Sequence, residues 1–360
     1  MSPGAATLLR GKAPAARILR PILGFLVVNL LVTLVRGWPA LWWAAAAVNF
    51  VLLVLLAEAV STQIPPSFTR VYERSLALLF PILLLATWEL LVRGGILSPD
   101  WFPPPSKIVT ALWELFTKFD SATKTSLFGR PWLLPEVVEG KGHLTVGSLL
   151  GESHLYVTLM RVFVGFLIGA APGVLLGVVM GISRTIRNMI DATLSAFYVL
   201  PKIAIFPIMM LIFPDPFGEG PKIAVVALSV FFVVTINTMV GVRDIEPVYL
   251  EAGRNYGASG LQMLRHVIIP GAMPVIFAGL RLALGTALIV IIAVEFVRAK
   301  TGVGYLTYYY WQILSPEKMY AALIIVMVLG VLLTWVLRWF ERLVMPWRRE
   351  ERARSRREIV

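Results

Sequence analysis

The polar run Glu251-Ala252-Gly253-Arg254-Asn255-Tyr256-Gly257 sits between two strongly apolar stretches and leads on to Pro270. Its residue types suit a built turn rather than a catalytic centre. Pro247 opens a helix, since its missing N–H is one that a first turn leaves unpaired anyway, and Glu251 and Ala252 propagate it. Gly257 stops the helix because glycine reaches the left-handed conformation without steric cost. Ser259 and Gln262 have capping-box spacing, so a second helix starts at once and runs toward Pro270. A link that only had to rejoin two apolar stretches would not need this punctuation.

A second set of residues carries charge or polarity where the chain is otherwise apolar. Lys202, Asn237, Arg281 and Glu295 all lie inside long apolar runs. An ionisable group in such a run faces water, a pathway or a partner. Lys202 follows Pro201, which loosens its helix. It either borders a translocation path and favours an anion there, or reaches an interface or a carboxylate. Asn237 is a polar path group or an interhelical hydrogen bond. Glu295 is assigned to the path, and Arg281 is read as a structural pair. Five glycines at every fourth position, Gly165, Gly169, Gly173, Gly177 and Gly181, form a stripe of small residues. Such a stripe permits close helix packing in a membrane, or lines a pore. Pro172 falls in the same run and can kink it.

The elements that must position these residues are membrane helices. Of 360 residues 58% are hydrophobic and only 15% charged. The mean hydropathy is +0.79. That composition belongs to a polytopic, all-α membrane protein. Eight apolar runs approach the roughly 20 residues that a bilayer requires. They fall at 20–35, 39–60, 76–92, 155–182, 190–213, 221–242, 271–297 and 319–343. The first resembles a signal peptide, but Arg36, Trp38 and Pro39 follow it where small residues would mark cleavage, so it reads as a retained anchor.

Lys and Arg fix the orientation. Arg10, Lys12, Arg17 and Arg20, then Arg70 and Arg74, then Arg184 and Arg187, then Arg243, Arg254 and Arg265, and finally the tail from Arg348 to Arg357 fall on one face when there are eight spans. That face is the cytoplasm, and both termini lie there. One opposite loop is basic as well, through Lys118, Lys124, Arg130 and Lys141. The net charge of +12 is thus an orientation signal, and no nucleic-acid motif accompanies it.

Between the third and fourth spans, Trp101-Phe102-Pro103-Pro104-Pro105-Ser106 is a stiff entry, with Ser106 as cap of a short amphipathic helix through Phe116. The polar segment from Lys118 onward reads as an added external loop, either mobile or in contact with a substrate-delivery protein. Pro214-Asp215-Pro216-Phe217-Gly218-Glu219-Gly220 is a tight external turn. The Arg/Glu-rich tail is a solvated end that touches anionic lipid at most.

Several chemistries are excluded. There is no cysteine, so no disulfide and no thiolate metal site. His143, His154 and His266 stand too far apart to form a ligand pair at helical spacing. No Gly-x-x-x-x-Gly-Lys-Ser/Thr run exists, so the chain has no P-loop of its own. No cofactor is expected, and the chain is not an enzyme.

The polar segment resembles the coupling loop of ABC importer permeases. That pattern is Glu-Ala-Ala, three residues, Gly, nine residues, Ile, one residue, Leu-Pro. Glu251, Ala252, Gly257 and Pro270 match it, while Gly253, Val267 and Ile269 replace Ala, Ile and Leu. Gly279-Leu280-Arg281-Leu282-Ala283-Leu284-Gly285, and Glu295-Phe296 ahead of Gly302-Val303-Gly304-Tyr305, resemble the nitrate, taurine and sulfonate branch of that family. The turn at 214–220 is longer than the family's short Gly-rich turn.

The resemblance implies a type I importer fold with a six-span core over 76–345. It includes an external loop at 118–154 and a cytoplasmic coupling loop at 243–270. Residues 1–75 add a basic tail and two further spans, and 346–360 a basic cytoplasmic tail. It implies an inner-membrane permease for a small anion such as nitrate, a sulfonate, taurine or bicarbonate, paired with a second copy or with a similar permease, with two ABC ATPase subunits that bind the ATP, and with an extracytoplasmic substrate-binding protein. Glu251, Ala252, Gly253, Arg254 and Gly257 would contact the ATPase. The rival readings are an ion-gradient-driven transporter or channel, and a membrane scaffold that moves no solute.

Overall fold

The structure, a computed structural model, describes residues 14–36, 38–65, 67–119, 125–138 and 145–347. Arg10, Lys12, Lys124, Lys141 and the tail from Arg348 to Arg357 lie outside the described residues. Among the described residues every regular element is a helix, and one isolated bridge joins Ser126 and Ser153. Two units divide at residues 108 and 109.

The first unit holds α1 (Pro14–Leu34), α2 (Trp38–Ser61) and α3 (Thr69–Arg93). Nearly all their large apolar side chains point outward, as befits helices solvated by lipid. Polar contacts supply the direction that a hydrophobic effect between lipid-solvated helices cannot. Asn29 and Asn49 exchange amide hydrogen bonds across the α1–α2 hairpin, each 3.1 Å. The Tyr72 hydroxyl donates to the Ala57 carbonyl at 2.8 Å.

Helix α4 (Pro105–Thr117) starts one residue ahead of the expected cap. Pro105 takes the first position, and Ser106 donates from its N–H and its hydroxyl to Glu89, at 3.0 and 2.7 Å. A carboxylate from α3 therefore satisfies the helix start in place of a local cap.

The second unit continues with short helices α5 (Leu134–Val138) and α6 (Val146–Gly151). The described part of the external loop is pinned in place. Arg130 grips Glu152 with both arms of its guanidinium, at 2.8 and 2.6 Å, and Ser153 donates to the Leu127 carbonyl. Then follow α7 (His154–Ile182), α8 (Arg184–Val199), α9 (Lys202–Ile212), α10 (Glu219–Arg243), α11 (Pro247–Asn255), α12 (Gly260–Met263), α13 (Ile269–Arg298), α14 (Val303–Gln312) and α15 (Pro316–Val344).

Among the described residues, seven helical segments are long and apolar enough to cross a bilayer. The run 190–213 is not one straight span. It lies in α8 and α9, which meet at 101°. Pro201 explains the break. It has no N–H to continue α8, and it forces Leu200 to an extended ψ of 134°.

Packing in the second unit shows what the broken pair does. Gly165 faces Val226, Gly173 faces Val234 and Gly181 faces Val242, so α7 and α10 run parallel. Parallel neighbours require the chain between them to return to its starting end. The bent α8–α9 pair therefore counts as one return crossing, which brings the described residues to eight. Helix α13 runs antiparallel to α10, with Gly241 on Val275 and Asn237 on Gly279. Arg281 pairs with Glu341 and Gly330 meets Leu288, so α15 reverses again. The end of α15 and the α11–α12 turn thus share one end of this bundle. Buried residues of α7, α9, α10 and α13 form its core around Val162, Phe206, Val230 and Ile291.

Candidate functional site

The α11–α12 turn is built by local rules at every step. Pro247 is the first residue of α11. At the other end Gly257 has φ +72°. Its N–H donates to Arg254 at 2.9 Å, and the Ala258 N–H donates to Gly253 at 3.1 Å. This pair of bonds is a Schellman stop and satisfies the last carbonyls of the helix. Ser259 then opens α12 with both bonds of a capping box, Gln262 N–H to Ser259 Oγ and Ser259 N–H to Gln262 Oε1.

Gly253 has a packing role of its own. A Cβ there would meet Met263 Cε at 2.8 Å, so Gly253 leaves room for the flexible end of that side chain between α11 and α12. No residue of α11 is buried. Glu251, Ala252, Arg254 and Gly257 are exposed and Gly253 is half-buried. Around them Val248, Tyr249, Leu261 and Tyr256 project, the last 93% exposed. Four apolar or aromatic side chains thus stand exposed on one polar turn.

The second helix does not end near Pro270. After α12 the chain forms one π-turn over Leu264–Ile268, in which the Ile269 N–H reaches back to Leu264, and then runs on as α13. The segment Gly260–Arg298 is thus a continuous 39 residues. At about 1.5 Å per residue its contour is about 58 Å, nearly twice a hydrocarbon core of about 30 Å. The exposed turn is joined to a membrane span without an intervening loop.

The glycine stripe faces α10 along its whole length. A Cβ on Gly169 would lie 2.2 Å from the Ala227 carbonyl oxygen, and one on Gly177 would lie 2.6 Å from Thr238 Cβ. Lys202 spends its ammonium on α8: Nζ donates to the carbonyls of Phe197, Tyr198 and Leu200 at 3.0, 2.6 and 2.8 Å. It serves the carbonyls that the proline break leaves unpaired. Asn237 donates to the Val233 carbonyl at 2.8 Å and packs on Gly279. Arg281 pairs with Glu341 of α15.

Glu295 is fully buried in the protomer, inside a cluster that sequence reasoning missed. Arg161 of α7 donates to both oxygens of Glu219, to Glu295 Oε1 at 2.7 Å and to the Thr301 carbonyl at 2.7 Å. Thr158 donates to Glu295 at 2.9 Å and accepts from the Val303 N–H at 2.8 Å. The Gly304 N–H completes the Glu295 carboxylate at 2.8 Å. Lys222 joins Glu219 at 3.1 Å, so two cations meet two anions. Gly302 takes φ +127°, where a Cβ would stand 2.4 Å from the Glu295 carboxyl carbon. The signal was available: Arg161 is an ionisable residue in an apolar run, the same observation that singled out Arg281.

The sequence matches the family described as binding-protein-dependent transport system inner membrane component over residues 173–346. It is 32% identical over 267 residues to an aliphatic sulfonates transport permease protein of Escherichia coli, covering 74% of this chain and 89% of that one. It is 26% identical to the taurine transport system permease protein of the same organism, over 74% of this chain and 87% of the relative. It is 28% identical to the nitrate import permease protein of Synechococcus elongatus, over 73% of this chain and 86% of the relative.

Proposed function

The chain belongs to the family of binding-protein-dependent transport system inner membrane components, and from that premise we propose that it carries a small oxyanion across the inner membrane, driven by ATP that a partner chain hydrolyses. It is the permease subunit of a binding-protein-dependent ABC importer. The solute class extends to this chain what its relatives' names say of them: a sulfonate, taurine or nitrate.

The observation that supports the ATP-driven reading is the α11–α12 turn. It is exposed, apolar at its tip, rigidly capped and continuous with α13. In this reading an ATPase binds Glu251, Ala252, Gly253, Arg254 and Gly257. Its closure pulls on the long helix and opens the other end of the bundle; hydrolysis resets it. A second copy of the chain completes the path. The ATPase side is the cytoplasm, since Arg184, Arg187, Arg243, Arg254 and Arg265 lie toward that end, and eight crossings put both termini there. Arg161, Glu219 and Glu295 hold the protomer together, and Lys202 caps α8 instead of binding the solute.

The test is uptake of labelled taurine, an alkanesulfonate or nitrate into proteoliposomes holding the complex and its binding protein. Uptake that requires internal or external ATP on the turn's side supports the reading. Uptake that follows a proton or sodium gradient without ATP makes the chain a secondary transporter.

A further inference from the structure

The Arg161 cluster lies at the end of the bundle away from the α11–α12 turn. It joins the first turns of α7 and α10, the last turn of α13 and the link into α14. Helix α7 supplies Thr158 and Arg161, α10 supplies Glu219 and Lys222, α13 supplies Glu295, and the backbone groups come from Thr301 in the link and from Val303 and Gly304 in the first turn of α14. Arg161 is 1% exposed and makes four hydrogen bonds to three partners. No other side chain in the cluster touches all three segments. A lysine in its place could not reproduce this planar fork. Removing one partner would strand a buried charge, so the cluster has no half-formed state of comparable stability.

The helices it joins have different duties in the proposed cycle. Helix α13 alone is continuous with the α11–α12 turn. Helices α7 and α10 pack on α13 along the bundle, with Gly241 on Val275, Asn237 on Gly279 and a shared apolar core, but neither continues into the α11–α12 turn as one helix. Apolar packing resists separation without directional bonds, so a pull delivered along α13 moves the three far ends as one body most tightly when a charged cluster also fastens them there.

We propose that Arg161 is a positioning residue for transport: it locks the far ends of α7, α10 and α13 into one body, so that motion entering through α13 opens the path instead of bending a single helix. This deepens the importer reading and rests on it. Glu219 is the outermost member of the lock, its side chain 43% exposed.

The test uses the absence of cysteine. Spin labels at Tyr156→Cys and Val297→Cys, both on exposed positions of α7 and α13, report the distance between the two far ends in the complete complex in lipid. Solute moved per ATP hydrolysed is measured on the same preparations. The expected result for Arg161→Lys is a distance distribution at least twofold wider than in the parent and a solute-to-ATP ratio at least fivefold lower, with ATP hydrolysis within twofold. Glu219→Gln should shift both readouts in the same direction, and Glu219→Asp should restore them. Glu219→Gln also carries the test if Arg161→Lys does not assemble. Unchanged widths, or wider distributions with an unchanged ratio, overturn the proposal. If the parent itself moves no solute with ATP, the importer reading falls and the widths alone decide whether Arg161 locks the helix ends.

Discussion

Gly257 carries the sharpest residue-level consequence. Its φ of +72° is closed to proline, and its N–H is bonded to Arg254. Gly257→Pro removes both the left-handed turn and the bond. The expected outcome is ATP hydrolysis that continues while solute uptake per ATP falls at least tenfold; parental coupling in that variant would contradict the role of the turn. Gly257→Ala should be milder, since the left-handed conformation costs an ordinary residue about 1–2 kcal/mol and the space around it is open. The glycine stripe gives a second contrast. Gly169→Ala drives a methyl against a backbone oxygen that cannot turn aside, whereas Gly285→Ala meets nothing within 4 Å. Thermal melting in detergent should therefore fall sharply for the first and stay at the parental value for the second. At this scale the sequence was informative where chemistry is local. Proline, glycine and the Ser259–Gln262 pair announce the turn within a few residues of one another. Arg161 finds Glu219 and Glu295 across 58 and 134 residues, and no period in the chain links them.

Among elements, the broken pair α8–α9 shows how a costly residue can be occupied by structure. Lys202 donates to three carbonyls at the end of α8, which makes it a cap for the break that Pro201 imposes. Lys202→Met should lower stability by roughly 0.5–1.5 kcal/mol, the usual net worth of a hydrogen bond, since the carbonyls it leaves belong to exposed residues. It should leave the preference for anions over uncharged analogues unchanged; a lost preference in competition uptake would return Lys202 to the path. The continuity of α12 with α13 makes a separate prediction. Two glycines inserted after Val267 should soften the connection, keep ATPase binding and lower solute uptake per ATP. Uptake at the parental ratio would show that force travels by another route. Hydropathy found every long helix because burial in lipid demands a nearly fixed length. It did not find the 101° break or the extension through Pro270, because both depend on how individual carbonyls are satisfied.

At the largest scale, the parallel packing of α7 on α10 requires the chain of the second unit to cross back between them, and in the orientation we propose the arginines face the cytoplasm. Arg184, Arg187, Arg243, Arg254 and Arg265 gather toward the end that holds the α11–α12 turn and the end of α15, while Glu219, Lys222, Glu317 and Lys318 lie toward the other. Thiol labelling of the cysteine-free chain checks this directly. Tyr256→Cys and Val344→Cys should react with an impermeant maleimide only from the cytoplasmic side, and Phe217→Cys only from outside. Labelling of all three from one side would overturn this topology of the second unit.

The central claim is that the α11–α12 turn receives an ATPase. The most direct measurement is affinity purification of the tagged chain from its native membrane in mild detergent, with mass spectrometry of the proteins that accompany it. The account predicts a stoichiometric P-loop ATPase, retained by the parent and lost when Glu251 and Gly257 are both replaced. A folded preparation that carries no ATPase, or one that keeps it after both replacements, would contradict it.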